Sequence, residues 1–383
     1  MGAPLAGLKV LELARILAGP WVGQVLADLG ATVIKVESPK GDDTRTWGPP
    51  FIERGEDRSA AYFYSCNRGK QSVTADFSDP DDLAFVKELA AEADVVIENF
   101  KLGGLTRFGL DDATLRAMNP GLIYCSITGF GQTGPYAARA GYDYLVQGMC
   151  GLMSVTGEPT TDPQKVGVAL TDIYTGLYAV VAIEAALLDR AKTGLGQHID
   201  MSLLDAGVGT MANQALNYLA TGTSPQRMGN AHPNIVPYQV FPVADGNIII
   251  AAGNDRQYRS LCAVLQRSDL ETDPAYATNV DRVAHREILV PLLRAETQKW
   301  EKSALLAALE TKQVPAAPIN EMAEVFADPQ VQARGMEVRP EGVPGVRSPI
   351  AFGRSNLALE RTAPKLGQHD DAIRAGGWEE ATE

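Results

Sequence analysis

An aspartate stands where an apolar stretch passes into a long helical pattern. Asp172 follows residues 166–171 and precedes an Ala-rich run that extends to about Arg190. An ionised carboxylate, with a pKa of about 3.9 in short peptides, can attack an activated acyl group and form a covalent intermediate. The helix dipole favours that ionised form. Asp172 is therefore the leading candidate nucleophile, and the alternative is that it only caps the helix. Small Thr175 and Gly176 are expected to leave room for an adduct.

A second carboxylate, Asp143, follows Gly141 and Tyr142. It is interpreted either as an acid–base or charge partner of Asp172 or as a helix cap. The histidines stand apart without a serine elbow or metal-ligand spacing, so neither a hydrolase triad nor a metal site is predicted. The four cysteines form no C-x-x-C pair, which favours reduced, buried thiols.

Six basic residues fall in or just after loops that follow the first three predicted strands: Lys40, Arg45, Arg68, Lys70, Lys101 and Arg107. Open α/β sheets bind ligands beyond the carboxyl ends of their strands, so these side chains could converge on a phosphorylated ligand. Taken singly, most of them are equally well explained as solvated surface charges. Asn99 could contact the ligand, and Phe100 either covers an adenine ring or belongs to the core.

Alternating strand and helix patterns must position these residues. Apolar strands are predicted at 8–13, 31–37, 94–100, 122–127 and 197–201, with helical segments between them. This order predicts an α/β fold with a Rossmann-like, doubly wound parallel sheet. The first turn lacks G-x-G-x-x-G, so a dinucleotide is not implied.

Two domains are predicted from the breaks in this pattern. Residues 1–220 form the first part of a large Rossmann-like domain, and 221–237, rich in Gly, Pro and Asn, form a linker. Residues 238–320 begin with a β-hairpin and make a smaller α+β domain. Residues 321–383 are expected to return to the large domain.

Composition excludes some partners for this chain of 383 residues. A formal net charge of -13 argues against nucleic acid. The N-terminus has no signal-peptide pattern, and no uninterrupted apolar run reaches the roughly 18 residues of a membrane span. A cytoplasmic protein without a membrane partner is expected.

The chain resembles the class III coenzyme A transferases from Leu5 to about Gly367. The motifs that carry the resemblance are Ala18-Gly19-Pro20, Gly30-Ala31-Thr32-Val33-Ile34-Lys35-Val36-Glu37, Glu98-Asn99-Phe100, Gly129-Phe130-Gly131, Thr171-Asp172-Ile173-Tyr174-Thr175-Gly176 and Gly194-Leu195-Gly196-Gln197. The resemblance implies an interlocked homodimer with a large and a small domain. It also implies that coenzyme A and acyl-CoA are substrates, with no permanently bound cofactor and no metal.

By the same resemblance, Asp172 attacks a donor thioester to give a mixed anhydride and then an aspartyl-CoA thioester, with Asp143 beside it. The residues expected to bind coenzyme A are Arg15, Ile16, Leu17, Ala18, Lys70, Asn99, Phe100, Lys101 and Arg107, together with Lys40 of the basic set.

Three departures from relatives of this family narrow the expected activity. Leu17 replaces a glutamine of the oxalate-linked members, and 251–257 replaces their glycine run, which disfavours oxalate. Tyr142 replaces the histidine of the related 2-methylacyl-CoA racemases, and a phenol of pKa about 10 is a poor base at neutral pH. Arg15 and 253–257 favour a polar or dicarboxylate acceptor such as glutarate, itaconate or citramalate, with a donor such as succinyl-CoA. A racemase-like isomerase and a non-catalytic coenzyme A-binding protein remain alternatives.

Overall fold

The computed structural model describes residues 2–381, which form two compact units. The first unit comprises residues up to Leu152, Lys165–Thr223 and those from Pro329 onward. The second comprises Met153–Gln164 and Ser224–Asp328. The longer part of the second unit begins within the predicted linker and extends past 320 to Asp328. The unit also includes Met153–Gln164, which was predicted to belong to the large domain.

The strands, in chain order, are β1 (Lys9–Glu12), β2 (Thr32–Glu37), β3 (Phe51–Arg54), β4 (Asp57–Ala60), β5 (Gln71–Thr74), β6 (Val95–Glu98), β7 (Ile123–Thr128), β8 (His198–Ser202), β9 (Tyr238–Val243), β10 (Gly246–Ala251), β11 (Ala316–Pro318), β12 (Glu337–Val338) and β13 (Gly345–Val346).

The helices are α1 (Ala18–Asp28), α2 (Ala61–Tyr64), α3 (Pro80–Glu92), α4 (Asp112–Met118), α5 (Asp143–Met149), α6 (Leu152–Val155), α7 (Leu170–Thr193), α8 (Leu203–Gly209), α9 (Ala212–Thr221), α10 (Asp255–Val264), α11 (Ser268–Thr272), α12 (Asn279–Ala284), α13 (Arg286–Thr297), α14 (Lys302–Thr311), α15 (Met322–Ala327), α16 (Pro329–Ala333), α17 (Asp370–Gly376) and α18 (Trp378–Ala381).

A parallel sheet in the order β5-β2-β1-β6-β7-β8 forms the centre of the first unit. The predicted parallel α/β sheet is confirmed. Numbered along the chain, its strands lie in the order 3-2-1-4-5-6, and the direction of winding changes between β1 and β6. Ligands of open α/β sheets bind beyond the carboxyl ends of the strands at such a switch point.

Successive side chains of the strands point to opposite faces of the sheet, and each face is covered by its own core. Val10 and Ile97 face one side and pack with α1 and α7. Leu11 and Val96 face the other side and pack with α3 and α4. Because these strands are buried on both faces, their sequences are nearly continuous apolar runs.

Three strands in the polar stretch that follows β2 were not predicted from the sequence. β5 extends the sheet edge beside β2, and β3 and β4 form a separate antiparallel pair. β5 reads Gln-Ser-Val-Thr, and three of its four residues are buried by packing rather than by apolar composition. A strand so short and polar carries too weak a periodic signal to be read from sequence.

The C-terminal segment belongs to the first unit. The indole nitrogen of Trp378 donates a hydrogen bond to the carbonyl of Leu89 at 3.0 Å, and Asp370 accepts from the backbone and hydroxyl of Thr74, both at 2.7 Å. In the second unit, β11-β10-β9 is an antiparallel sheet. Its β9–β10 hairpin is the one expected from the sequence.

Helix α7 is long and apolar enough, by length and composition alone, to cross a membrane. It contains the charged residues Asp172 and Glu184, which is why no uninterrupted apolar run was found. Ala179, Ile183 and Ala186 of this helix are buried in the core that it shares with α1. The core helix of a globular fold meets the same criteria, so they are weak grounds for a membrane span.

Candidate active site

A cavity of about 440 Å³ opens beyond the carboxyl ends of β1, β6 and β7. Its wall contains most of the residues that the sequence analysis selected: Arg15, Ile16, Leu17, Ala18, Asn99, Phe100, Lys101, Arg107, Tyr142 and Asp172. The loops that follow β1, β6 and β7 supply the larger part of that wall. The cavity therefore lies at the switch point of the sheet, where a ligand site is expected.

Asn99 joins the loop that follows β6 to the loop that follows β1. Its side-chain oxygen accepts a hydrogen bond from the Arg15 backbone N–H at 3.0 Å, and its amide nitrogen donates to the Arg15 carbonyl at 2.7 Å. Both ends of the Asn99 amide bond to backbone, which fixes this side chain in the cavity wall, and its contact with a ligand stays a prediction. Phe100 lines the cavity and stacks on Phe77, and its contact with an adenine ring stays a prediction.

Asp172 is the third residue of α7 and does not cap it. The cap position is Ala169, which has no side chain able to accept a hydrogen bond. Asp143 satisfies this helix end instead, because its Oδ1 accepts from the Thr171 backbone N–H at 2.9 Å and from the Thr171 hydroxyl at 2.7 Å. The capping alternative for Asp172 is therefore wrong. Asp143 caps α7 rather than its own helix.

The position of Asp143 is fixed from two further directions. Its Oδ2 accepts a hydrogen bond from the Gln147 side chain at 2.7 Å. The preceding Gly141 lies against Gly129 at the end of β7, where a Cβ on Gly141 would come within 2.3 Å of the Gly129 Cα. No residue with a side chain fits at this contact. The two glycine motifs found in the sequence thus hold Asp143 against the sheet edge.

The Asp172 carboxylate is half-buried, and its pKa is raised to about 7. Burial is the main cause, and the negative charge of Asp143 adds to it. The helix dipole was expected to keep Asp172 ionised. Burial outweighs that effect, because a helix end contributes about 0.3–1 kcal/mol, less than one pKa unit. At neutral pH the group is divided between its protonated and ionised forms.

Tyr62 lies near Asp172 and was not selected from sequence. Burial, together with the negative charge of Asp172, raises the pKa of Tyr62 to about 12, so its hydroxyl remains a hydrogen-bond donor. Its ring makes an edge contact with Trp47, at 5.4 Å between ring centroids, and Trp47 lines the cavity. Both residues come from the polar stretch after β2, which offered no pattern that would single them out.

Thr175 and Gly176 do not provide the space that was expected of them. The Thr175 hydroxyl is buried and donates to the Thr171 carbonyl. A Cβ on Gly176 would lie 3.0 Å from the carbonyl oxygen of Ala18 and 3.1 Å from the Trp21 ring. The small residue is therefore required for α7 to approach α1 closely, one turn after Asp172.

The six predicted basic residues do not converge. Lys101 and Arg107 line the cavity, whereas Lys40 is exposed and lies outside its wall. Three others form buried contacts: Arg45 with Glu37, Arg68 with Asp28, and Lys70 with Glu12. Burial lowers the pKa of Lys70, and its ammonium group also donates to the Pro20 carbonyl at 2.8 Å. These three cations are therefore not available to a ligand in this arrangement.

Arg139 adds a cation that the sequence analysis missed. It lines the cavity and lies over the Phe130 and Tyr136 rings, at 5.4 and 4.5 Å from their centroids. Arg15 also lines the cavity and forms an exposed ion pair with Asp43 at 2.7 Å. With Lys101 and Arg107 these residues give the wall the local positive charge that an anionic ligand needs in an acidic protein.

His198 and Ser126 form a contact that resembles part of a hydrolase triad. His198 Nε2 lies 3.0 Å from Ser126 Oγ, but its Nδ1 lies 3.9 Å from Asp112, too far for a hydrogen bond. Ser126 is 3% exposed, and neither it nor His198 lines the cavity of Asp172. The contact does not provide an accessible nucleophile. Among residues 2–381, no three His, Cys, Asp or Glu side chains are grouped to hold a metal ion.

Comparison with known proteins finds relatives that match nearly the whole chain. The CoA-transferase family III profile matches residues 5–370. The succinate–glutarate CoA-transferase of Agrobacterium fabrum is 57% identical over 380 residues, covering 97% of this chain and 95% of that one. The succinyl-CoA:glutarate CoA-transferase of Homo sapiens is 43% identical over 378 residues, covering 97% and 85%. The crystal structure of a CAIB/BAIF family protein from Brucella suis is 62% identical, with a TM-score of 0.90, and covers 98% of this chain and 99% of that one.

Proposed function

The chain belongs to CoA-transferase family III, and on that premise we propose that it moves coenzyme A from succinyl-CoA to a dicarboxylic acid, with glutarate as the first candidate. It is a CoA-transferase, and its substrates are CoA thioesters. Two relatives that match nearly the whole chain carry succinate or succinyl-CoA and glutarate in their names, which supports this pair of acids.

The observation that carries the proposal is the position and chemistry of Asp172. Its carboxylate lines a cavity at the switch point of the sheet, and burial weakens the solvation that would otherwise stabilise its charge. A poorly solvated carboxylate is a better nucleophile than one in water. Its pKa of about 7 still leaves much of it ionised at neutral pH.

In the donor half-reaction, an Asp172 oxygen attacks the succinyl-CoA carbonyl carbon, the C–S bond breaks, and the coenzyme A thiolate leaves a succinyl–aspartyl anhydride. The thiolate then attacks the aspartyl carbonyl carbon of this anhydride. Succinate leaves, taking with it the oxygen that Asp172 had contributed. The product is an aspartyl-CoA thioester.

In the acceptor half-reaction, a glutarate oxygen attacks the aspartyl-CoA carbonyl carbon and releases the thiolate. The thiolate attacks the glutaryl carbonyl carbon of the new anhydride, giving glutaryl-CoA and a free Asp172 carboxylate. One oxygen from glutarate stays on Asp172. No net proton transfer is needed, so these steps require no general acid.

The cavity wall supplies electrostatic help for these steps. Leu17 and Ala18 stand at the start of α1, where the first-turn N–H groups lack intrahelical partners and the helix dipole is positive. Such a helix end favours the oxyanions that form when a carbonyl carbon is attacked. Lys101, Arg107 and Arg139 add positive charge suited to the phosphates of coenzyme A.

Arg15 is proposed to receive the distal carboxylate of the acceptor. Arg15 lines the cavity and forms an exposed ion pair with Asp43. Exposed ion pairs stabilise a protein by only about 0–1 kcal/mol, so a substrate carboxylate can replace Asp43 as the partner of Arg15. Arg15→Met is expected to raise the KM for glutarate about tenfold or more while changing the KM for a monocarboxylate of similar length little. Equal losses for both acids would argue against this role.

The function is tested by incubating the protein with succinyl-CoA and a panel of carboxylates, with products read by mass spectrometry. Glutaryl-CoA is expected from wild type and not from Asp172→Asn. Asp205→Asn is the matched control, since it removes a carboxylate of α8 that does not line the cavity. This variant is expected to remain active. Transfer that survives in Asp172→Asn, or binding without turnover for every acid, would contradict the proposal.

A second candidate rests on one specific observation. A carboxyl group with a pKa of about 7, beside another carboxylate, also suits proton transfer at the α-carbon of an acyl-CoA. Tyr142, which is 61% exposed, stands where the related racemases have histidine. An isomerase would exchange the substrate α-proton in deuterated water without any acceptor acid. A transferase would not.

The proposal includes three expectations about the state of the protein. It works as an interlocked homodimer, in the cytoplasm, and without a permanently bound cofactor. Exposed apolar side chains support association, since Tyr178, Val181 and Leu188 of α7 are 51%, 61% and 68% exposed on the face opposite its core contacts. Large apolar side chains exposed along one helix face are common at protein interfaces.

A further inference from the structure

Ile16 adopts a backbone conformation that is rare for its residue type. Its φ is +74°, in the left-handed region, and a β-branched side chain is strained there. Ile16 lies in the loop between β1 and α1 and lines the cavity together with Leu17 and Ala18. Strain of this kind persists only where surrounding contacts impose it.

Asp42 imposes it from the loop that follows β2. Both of its carboxylate oxygens accept from the Ile16 backbone N–H, at 3.3 and 3.2 Å. The same carboxylate accepts from the Thr44 backbone and hydroxyl at 3.0 and 2.8 Å, so it cannot turn away. On the other side of the peptide, the Ile16 carbonyl lies 3.5 Å from the Cys66 thiol. Asp42 is 4% exposed.

Two buried lysines fix this carboxylate and the chain on either side of Ile16. Lys35 Nζ lies 3.0 Å from Asp42, 3.1 Å from Glu12 and 2.8 Å from the Ala14 carbonyl. Lys70 Nζ lies 2.8 Å from Glu12 and 2.8 Å from the Pro20 carbonyl. Two cations and two carboxylates balance in charge. The lysines bind carbonyl groups just before and just after residues 15–18.

Such a network is a costly way to stabilise a core. Apolar residues of similar volume commonly stabilise a fold as well as buried ion pairs do, and such pairs serve best where one arrangement must be specified. Here the network surrounds the one strained residue in the wall of the cavity. It also includes Lys70, which accounts for a cation that the sequence analysis had assigned to the ligand.

We propose that Asp42 is a positioning residue of the coenzyme A site: its carboxylate, held by Lys35, keeps Ile16 in the left-handed conformation that places Leu17 and Ala18 in the cavity wall. Asp42 touches no substrate and acts through the backbone of Ile16. The expected effect of Asp42 on catalysis rests on the proposed function. Its expected effect on coenzyme A binding rests only on membership of the family.

A double-mutant cycle tests this role. Asp42→Ala removes the carboxylate that accepts from the Ile16 N–H. Ile16→Gly makes that carboxylate unnecessary, because glycine adopts positive φ without strain. The third protein carries both substitutions. The readouts are the Kd of coenzyme A by calorimetry and the exchange of labelled succinate into succinyl-CoA. Asp42→Ala is expected to weaken binding and slow exchange at least about tenfold. The double variant is expected to return to within about threefold of Ile16→Gly alone.

A merely structural role predicts a different result. If Asp42 only supports the fold, the effects of the two substitutions on coenzyme A binding will add. The double variant will then bind coenzyme A most weakly of the three. That outcome would overturn the inference. Should Asp42→Ala not fold, the same cycle is run with Asp42→Asn, which keeps an oxygen for Thr44 and loses the charge that Lys35 fixes. Coenzyme A binding needs no acceptor acid, so an incorrect choice of acid would leave this readout intact.

Discussion

At the scale of single residues, Asp172 and Asp143 form an unequal pair. Asp143 is tied to Thr171 and Gln147 by hydrogen bonds that require an acceptor, and its charge raises the pKa of Asp172. Asp172 has no such partner among the hydrogen bonds of the described chain. One carboxylate therefore holds the helix end, and the other accepts no hydrogen bond within residues 2–381, as the proposed attack on a thioester requires.

The first prediction concerns the dependence of activity on pH. The nucleophile must be ionised, so kcat/KM for succinyl-CoA should be low below pH 7 and rise through about pH 7. Asp143→Asn removes the neighbouring charge and should move this rise about one pH unit lower. Asp143→Ala also loses the cap on Thr171 and should lose activity at every pH. A rise that does not move in Asp143→Asn would contradict the coupling.

The second prediction concerns stability. The pKa of Asp172 is raised on folding, so between about pH 4 and 7 the folded chain binds the extra proton and its stability falls as pH rises. Above pH 7 the folded state contains a poorly solvated charge. Asp172→Asn removes that charge and should raise the Tm by about 2–5 °C at pH 8, and by less at pH 5. Calorimetric scans at the two pH values would measure this. A larger gain at pH 5 would refute the assignment.

At this scale the sequence singled out two carboxylates but did not indicate how they are held. Asp172 stood out because an apolar stretch passes into a helical pattern there, and Asp143 because it follows Gly141 and Tyr142. Their connection runs through Thr171, 28 residues from Asp143, and no local pattern encodes it. Lys70 and Lys101 look alike in sequence, each in a polar loop, yet one is buried with Glu12 and the other lines the cavity. Only the packing of distant segments distinguishes them.

At the scale of elements, the switch point between β1 and β6 determines where the site lies. The order of strands and helices could be predicted, because strands buried on both faces are apolar and the helices between them are periodic. The short polar strand β5 and the pair β3–β4 could not. These elements lie on either side of α2, which carries Tyr62, so the missed strands and the missed site residue share one cause.

The third prediction concerns the contact between two glycine loops. Gly141→Ala would place a Cβ 2.3 Å from the Gly129 Cα, so the backbone before Asp143 must move. We expect a loss of about 1–3 kcal/mol in the free energy of unfolding and a fall in kcat of about tenfold or more. Gly167→Ala is the control, since a Cβ there meets nothing within 4 Å. Denaturant titration and steady-state rates would measure both variants. Equal effects would exclude the contact as the cause.

At the scale of the whole molecule, the expected homodimer gives the fourth prediction. Val181→Lys with Leu188→Lys places charge on the exposed apolar face of α7 and should shift the protein from dimer to monomer in sedimentation equilibrium. Val280→Lys, at a side chain of α12 that is 77% exposed, is the matched control and should remain dimeric. A wild type that sediments as a monomer, or a double variant that stays dimeric, would contradict the assignment of this face.

The central claim is that Asp172 carries the acyl group and then coenzyme A covalently, and oxygen transfer tests it most directly. Glutarate labelled with ¹⁸O in its carboxylates is turned over with succinyl-CoA, and the succinate released and the Asp172 peptide are analysed by mass spectrometry. The mechanism predicts one ¹⁸O in Asp172 after a single turnover and ¹⁸O in succinate after several. Glutaryl-CoA formed with no label in either Asp172 or succinate would contradict a covalent aspartyl intermediate.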